Sequence, residues 1–303
     1  MDVGVIGTGT MGKNHVRVYS ELRNVNSLYI YDVNPEIAEK ISKQFSAIPC
    51  SSAENLLKNV DAVSISVPTP FHFKLASQAL AAGVHLLIEK PICSTVREGS
   101  KLLSKISDDT VVGVGHIERF NPIIPEIQRI VRNPMYVEMK RHNPASIRVT
   151  GTSVAEDLMI HDIDITFHVL FKGRYALHSV GNSDVCSALI QIGKTPVYLS
   201  ASRLASKKIR SIYIEEKDFT IEGNFMTQEL TVFRRPGQYA VEDHRYIQES
   251  VIETVVVNKV EPLKLELATF LSCIQKGEPF PVTPQQAVNN LKICNEIQRS
   301  YAS

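Results

Sequence analysis

The chain has 303 residues, of which 44% are hydrophobic and 21% are charged, a balance typical of a globular protein and unlike that of a disordered or fibrous one. This length exceeds what one hydrophobic core usually supports, so two domains are expected. The 33 basic and 32 acidic residues leave a net charge of +1, which argues against a broad nucleic-acid-binding surface.

Membrane insertion and disulfide bonding are not expected. No apolar run reaches the ~20 residues that a spanning helix needs, and the chain enters a strand without a basic and apolar leader, so the expected location is cytoplasmic. The cysteines lack C-x-x-C spacing, so we expect buried free thiols and neither a disulfide framework nor a metal site. These five residues are Cys50, Cys93, Cys186, Cys273 and Cys294.

Residues 1–32 predict a dinucleotide-binding β-α-β unit. A strand at Asp2–Ile6 leads into a G-x-G-x-x-G turn, then a helix and a second strand at Ser27–Tyr31. In such a turn the glycines permit the tight bend, the approach of a pyrophosphate and close packing of the helix. Asp32 ends the second strand about 20 residues later, where a carboxylate accepts a ribose hydroxyl and repels a 2′-phosphate. NAD is therefore the expected cofactor, bound by Gly7, Gly9, Thr10, Met11, Gly12 and Asp32. The plainer interpretation is an ordinary tight turn of an α/β protein.

The strand and helix pattern continues to about residue 118. Short β-branched runs typical of buried parallel strands lie at Ala62–Val67, His85–Ile88 and Val111–Val114. Helical patterns alternate with them at Pro35–Phe45, Phe73–Ala82 and Val96–Ile106. Residues 1–118 are thus predicted to form a doubly wound, Rossmann-type parallel sheet of about six strands.

Residues 119–303 are predicted to form a second domain, for substrate binding and oligomerisation. Helices are expected at Pro122–Val131 and Val154–Phe171, with a strand at Met135–Lys140. A run of strands without helices then predicts a mainly antiparallel open sheet with helices on one face. These strands are Val185–Ile192, Val197–Ala201, Arg210–Glu215, Phe219–Glu222 and Glu229–Phe233, with turns at Gly193-Lys194, Lys217-Asp218 and Pro236-Gly237. Two closing helices, Pro262–Lys276 and Pro284–Tyr301, are candidates for packing back on the first domain.

Two short segments follow strands of the first domain, at the sheet edge where open α/β folds bind ligands. They are Val67-Pro68-Thr69-Pro70-Phe71-His72 and Glu89-Lys90-Pro91. We expect cofactor contacts from Val67, Pro68, Thr69, His72, Glu89 and Lys90. A lysine at this position can stabilise an alkoxide forming on a substrate, whereas the plainer interpretation is a solvated lysine in a turn.

The predicted helix at Val154–Phe171 carries a stripe of acids and histidines. Asp157, His161, Asp164 and His168 are separated by four, three and four residues, which places them on one helix face. The stripe could be the solvated face of an amphipathic helix, although it carries no Lys or Arg. Its Asp–His pair also has metal-ligand spacing, but a third ligand is not evident. A general base beside an orienting carboxylate is the more economical interpretation.

Taken together, these motifs resemble the Gfo/Idh/MocA family of sugar and cyclitol dehydrogenases over essentially the whole chain. The resemblance implies that Lys90 and His161 flank the reacting carbon and that Asp157 helps to hold the substrate. The segments Gly115–Pro122 and Asp157–Asp164 are similar to the branch acting at C3 of UDP-N-acetylglucosamine or its uronic acid, which forms a 3-keto sugar.

That similarity implies a substrate site formed by Lys90, His116, Arg119, Asn121, Arg141, Arg148, Asp157 and His161. Guanidinium groups suit a diphosphate or carboxylate, although solvated loop arginines are an equally good interpretation of Arg119, Arg141 and Arg148. Three alternatives stay open: a dehydrogenase of a free sugar or inositol, an NAD-dependent glycosidase, and a non-catalytic NAD-sensing regulator. A homo-dimer or homo-tetramer is expected.

Overall fold

The computed structural model describes residues 1–144, 152–235, 240–242, 245–247 and 251–302. The chain divides into two compact units. Unit 1 comprises Met1–Phe120 and Glu261–Lys292, and unit 2 comprises Asn121–Val260 and Ile293–Ser303. Each unit has its own hydrophobic core.

Unit 1 begins with an alternation of strands and helices. In chain order the elements are β1 (Asp2–Ile6), α1 (Thr10–Glu21), β2 (Ser27–Tyr31), α2 (Pro35–Phe45), β3 (Ile48–Pro49), α3 (Ala53–Leu57), β4 (Ala62–Ile65), α4 (His72–Ala81), β5 (His85–Glu89), α5 (Val96–Leu103) and β6 (Val112–Gly115). The strands form one parallel sheet in the order β3-β2-β1-β4-β5-β6. The predicted doubly wound Rossmann sheet is therefore confirmed.

Unit 2 follows with helix α6 (Ile123–Ile130) and strand β7 (Tyr136–His142), and then a continuous helical segment over residues 155–170. The middle of this segment is α7 (Ile160–Ile165), and π-helical turns flank it at Ala155–Met159 and Thr166–Leu170. The strands that follow are β8 (Tyr175–Gly181), β9 (Val185–Ile192), β10 (Thr195–Ser202), β11 (Ile209–Glu215), β12 (Phe219–Asn224), β13 (Glu229–Arg234), β14 (Ala240–Glu242), β15 (Arg245–Ile247) and β16 (Ile252–Thr254).

The main sheet of unit 2 has eight strands in the order β16-β13-β12-β11-β7-β10-β9-β8. Adjacent strands in this sheet run antiparallel, except for β7 and β10, which run parallel to each other. The prediction of a mainly antiparallel sheet is confirmed, and the parallel pair is a feature it did not contain. The predicted turn at Pro236-Gly237 lies outside the described residues.

Two helices complete the chain, α8 (Pro262–Lys276) and α9 (Pro284–Ala302). Helix α8 belongs to unit 1, where Leu267, Phe270 and Leu271 are buried in the same core as the strands of the parallel sheet. The boundary between the units falls within α9, after Lys292. In the part of the chain that the structure describes, no helix combines the length and the apolar character needed to cross a membrane.

Candidate active site

The glycine-rich turn of unit 1 has the geometry that a bound pyrophosphate requires. Gly7 has a positive φ of +87°, and a side chain at Gly12 would lie 1.7 Å from the carbonyl oxygen of Gly7, so α1 packs directly on the turn. A Cβ built on Gly9, in contrast, meets no atom within 4 Å. Gly9 also supplies no side-chain cap to α1, which leaves the helix N-terminus as an anion-binding end.

Asp32 is held in place by the same turn. Its Oδ2 accepts hydrogen bonds from the backbone N–H of Thr8 at 2.7 Å and from the Thr8 hydroxyl at 2.9 Å. Its Oδ1 accepts the backbone N–H of Asn34 at 2.9 Å. The expected ribose-binding carboxylate is therefore fixed in orientation next to the glycine turn. The glycine cradle, the uncapped helix and this acid fit NAD, and Thr8 is a contributor that the motif did not single out.

His72 joins the two segments that follow β4 and β5. Its ring is 1% exposed, with Nδ1 at 2.9 Å from the carbonyl oxygen of Pro91 and Nε2 at 2.8 Å from that of Val67. Burial lowers the pKa of His72, against the opposing effect of these two carbonyls and of Glu89. Both ring nitrogens of His72 thus contact backbone carbonyls inside unit 1. The contact between His72 and the cofactor stays a prediction.

Glu89, at the end of β5, forms a buried pair with a histidine of α1. The Nε2 of His15 lies 2.8 Å from Oε1 of Glu89, and the two side chains are 1% and 11% exposed. Burial acts to raise the pKa of Glu89, but the hydrogen bond and charge of His15, with the charges of Lys90 and His72, lower it overall. The carboxylate also accepts the backbone N–H of Lys90 at 3.3 Å, so it supports the turn that carries the lysine.

Lys90 itself is half-buried at the carboxyl edge of the parallel sheet, one residue beyond β5. In the segment that follows β4, Pro68 is exposed, whereas Val67 and Thr69 are half-buried. The sequence missed His15 as a support of this turn. A signal was present, because His15 shares the buried face of α1 with Gly12, Val16 and Tyr19 at helical spacing.

The acid and histidine stripe of unit 2 lies on a buried helix. His161 is 8% exposed, and Asp164 is 1% exposed. Asp157 is more accessible, with 23% of its side chain exposed. This burial argues against a solvated amphipathic face. A histidine held on a fixed helix can act as a general base when a substrate hydroxyl lies within hydrogen-bond reach of its ring.

π-helical turns flank α7 on both sides. The backbone N–H of Ile160 donates to the carbonyl of Ala155, and that of Phe171 donates to the carbonyl of Thr166. Both bonds span five residues, whereas an α-helix spans four. Such turns are frequent at functional sites, and here they lie directly before and after the segment that contains His161.

Arg141 is a buried structural ion-pair partner in this structure. Its Nε and Nη2 donate to Oδ1 of Asp162 at 3.0 and 2.7 Å, and both side chains are 1% exposed. The guanidinium carbon also lies 5.5 Å from the ring centre of Phe225. In this structure the guanidinium of Arg141 attaches α7 to the sheet. The contact between Arg141 and an anionic part of a substrate stays a prediction.

The other predicted substrate residues differ in their placement. Asn121 is 1% exposed; its amide donates to the carbonyl of Phe225 at 2.9 Å and accepts the N–H of Ile123, so it fastens the start of α6. His116 is 1% exposed within unit 1, and Arg119 is half-buried. Arg148 lies outside the described residues. Among the residues placed by the structure, no group of three or more His, Cys, Asp or Glu side chains could hold a metal ion.

Comparison with known proteins identifies the family. A model described as "Oxidoreductase family, NAD-binding Rossmann fold" matches residues 1–116. UDP-N-acetylglucosamine 3-dehydrogenase of Acidithiobacillus ferrooxidans is 30% identical over 293 residues, which cover 92% of this chain and 90% of that protein. The chain belongs to the Gfo/Idh/MocA oxidoreductase family. It is an NAD-dependent oxidoreductase, in agreement with the motif and with the geometry of the glycine turn.

Solved structures extend the likeness to the whole fold. A structure of UDP-N-acetylglucosamine 3-dehydrogenase from A. ferrooxidans matches with a TM-score of 0.90 at 29% identity and covers 99% of this chain and 97% of that one. Levoglucosan dehydrogenase in complex with NADH and levoglucosan matches with a TM-score of 0.83 at 18% identity over 100% and 97% of the chains. An inositol 2-dehydrogenase/D-chiro-inositol 3-dehydrogenase of Shouchella clausii is 28% identical, over 57% of this chain and 54% of that protein.

Proposed function

We propose that this Gfo/Idh/MocA oxidoreductase oxidises the C3 hydroxyl of a nucleotide sugar, UDP-N-acetylglucosamine or its uronic acid, to the 3-keto sugar. The coarser activity, NAD-dependent oxidation of a sugar hydroxyl, follows from the family. The finer one is supported by the likeness to a UDP-N-acetylglucosamine 3-dehydrogenase along nearly the full length of both chains. By comparison, the inositol dehydrogenase match covers little more than half of this chain.

In this proposal His161 is the general base. Its imidazole takes the proton of the C3 hydroxyl as the carbon–oxygen double bond forms, a role that suits an 8%-exposed histidine on a fixed helix. When bound, NAD supplies the acceptor for the hydride that leaves C3. The proton and the hydride together account for the two electrons and two hydrogens removed from the alcohol.

Lys90 and Asp157 have supporting roles in the same proposal. The Lys90 ammonium stabilises the negative charge that develops on the C3 oxygen, and its turn is held by the Glu89 carboxylate. Asp157, the more exposed acid of the helix, orients the imidazole or accepts a neighbouring sugar hydroxyl. Asp32 binds the ribose of the cofactor from the fixed position described above.

The variant His161→Ala tests the base assignment. We expect turnover to fall by about 10²- to 10⁴-fold, the usual contribution of a positioned general base, while NAD affinity stays unchanged. Steady-state formation of NADH and calorimetric NAD binding measure the two quantities. The matched control is His178→Ala on β8, an exposed histidine that should leave both values unaltered. Normal turnover by His161→Ala would remove His161 from the mechanism.

A dehydrogenase of free inositol is the second candidate, and the inositol dehydrogenase relative is the observation that favours it. The two candidates share every step that the described residues perform. They differ in whether a diphosphate-linked nucleoside is required for turnover, so a substrate panel of UDP-sugars, free sugars and inositols separates them.

A further inference from the structure

Arg203 is a buried arginine of unit 2 that the sequence motifs did not single out. It follows β10 directly and is 7% exposed. Its Nε donates to Oδ1 of Asp184 at 2.9 Å, and its Nη2 donates to the carbonyl of Ser183 at 2.8 Å and to the carbonyl of Thr152. Its Nη1 lies 3.9 Å from Oδ2 of Asp157.

These contacts connect three separate segments of unit 2. Ser183 and Asp184 lie in the turn between β8 and β9, whereas Thr152 comes directly before the helical segment that carries Asp157. The backbone strengthens the same connection, because the N–H of Val154 donates to the carbonyl of Ser183 at 2.8 Å. Ser153 and Glu156 add local capping hydrogen bonds at the same helix start.

A guanidinium suits this position for reasons of geometry. Its planar fork of five N–H donors can serve a carboxylate and two carbonyls at once, which the ammonium of a lysine cannot do in fixed directions. Hydrogen bonds from a charged donor are stronger than neutral ones, and burial limits the competition from water. The remaining charge acts on Asp157 across 3.9 Å.

We propose that Arg203 is a positioning residue of the active site. It attaches the first turn of the helical segment to the β8–β9 turn, and it sets the position of the Asp157 carboxylate relative to that turn. This inference rests on the proposed function for the role of Asp157. The attachment itself is independent of any substrate and can be measured in the protein alone.

Hydrogen exchange of the intact protein tests the attachment. In Arg203→Met, we expect the amides of residues 153–160 to exchange at least about 10-fold faster than in the wild type, because the helix start loses its side-chain connection. Arg234→Met is the matched control, since Arg234 makes a two-pronged ion pair with Glu253 on exposed strands. Unchanged exchange of residues 153–160 in Arg203→Met would overturn the proposal.

A double-mutant cycle tests the action through Asp157. We expect Arg203→Met to lower kcat by about 10- to 100-fold while the KM for NAD stays constant, because a small displacement of a catalytic group is costly. In an Asp157→Asn background, the same change should cost less than about 3-fold, since both changes act on one group. Independent, multiplicative losses would show that Arg203 does not act through Asp157.

Arg203→Lys covers the case in which Arg203→Met does not fold. The lysine keeps the positive charge and loses the planar fork of N–H donors. Both the amide exchange rate and kcat should therefore lie between those of the wild type and of Arg203→Met. Wild-type values for both quantities would refute the positioning role. His161→Ala distinguishes a failure of the proposed function from a failure of the positioning role of Arg203. If that variant retains turnover, the proposed function fails, while the exchange experiment still decides the role of Arg203.

Discussion

Burial and neighbouring charges shift the pKa of Glu89 in opposite directions, and the net effect lowers it. Burial favours the protonated acid, but the hydrogen bond and charge of His15 and the charges of Lys90 and His72 place the pKa below the ordinary value of 4.5. A group whose pKa is lower in the folded state stabilises the fold above its unfolded pKa. That stabilisation is lost as the pH falls through the lower, folded-state pKa.

Glu89→Gln should therefore reduce the dependence of stability on acid pH. At neutral pH we expect a loss of about 1–3 kcal/mol in the free energy of unfolding, because the partner His15 keeps only a neutral acceptor. As the pH falls toward and below 4.5, the difference in the free energy of unfolding between the variant and the wild type should become smaller. Urea unfolding over a pH series measures this, and a difference that grows at low pH would contradict the assignment of Glu89 as an anion.

The place of a residue in the fold was predictable where a motif fixes its position along an element. Asp32, Lys90 and His161 could be named because strand ends and helix spacing place them. Their partners could not, since His15 and Glu89 are separated by 74 residues and meet only once the sheet has formed. Arg141 shows the limit most plainly, because a loop arginine and a buried ion-pair partner have the same local sequence signature.

At the scale of elements, the glycine turn separates folding from cofactor binding. A side chain at Gly12 would collide with the carbonyl of Gly7, whereas one at Gly9 would point into open space. Gly12 is thus needed for the turn to fold. Gly9 is needed only when a pyrophosphate occupies the open space beside it.

Gly9→Ala and Gly12→Ala should differ accordingly. We expect Gly9→Ala to change the free energy of unfolding by less than about 1 kcal/mol and to raise the KM for NAD at least about 10-fold. Gly12→Ala should cost about 1–3 kcal/mol or more from steric overlap, in addition to the loss of NAD binding. Thermal unfolding and NAD titration measure both effects. Full NAD affinity in Gly9→Ala would place the pyrophosphate elsewhere.

The attachment of α7 depends on a fully buried ion pair. Arg141→Met should destabilise the protein by about 3–5 kcal/mol, because Asp162 then keeps a buried charge without this cation. The double variant Arg141→Met, Asp162→Leu should recover most of that loss, since an apolar pair of similar size avoids the desolvation of two charges. Urea unfolding measures both variants, and equal losses in the single and the double variant would contradict this account.

Element boundaries were predictable where a local signal defines them. Helix α2 begins after Asn34, which accepts the N–H groups of Glu36 and Ile37, and its bounds match the prediction. Strand β8 (Tyr175–Gly181), in contrast, lies before Val185–Ile192, the first strand predicted in this run. The π-helical turns were not predictable, because they depend on packing around residues 155–170 and have no spacing signature in the sequence.

At the scale of the whole molecule, the fold class was predictable and the finer topology was not. Alternating buried strands and helices imply a doubly wound sheet, and successive strands without helices imply an antiparallel one. The parallel pairing of β7 with β10 joins strands that are far apart in sequence, so only the folded chain shows it. Tyr136, Tyr198 and Tyr213 lie on the outer face of that sheet. We propose this face as the contact surface of the expected homo-oligomer.

The most direct measurement follows the hydrogen that leaves the sugar. UDP-N-acetylglucosamine carrying deuterium at C3 is incubated with the protein and NAD, and the same sugar labelled at C4 is the control. We predict that deuterium from C3 appears in the reduced cofactor, that the C4 label stays in the sugar, and that the product is the 3-keto sugar. Reduction of NAD by free inositol but not by UDP-N-acetylglucosamine, or transfer of the C4 label, would contradict the proposed function.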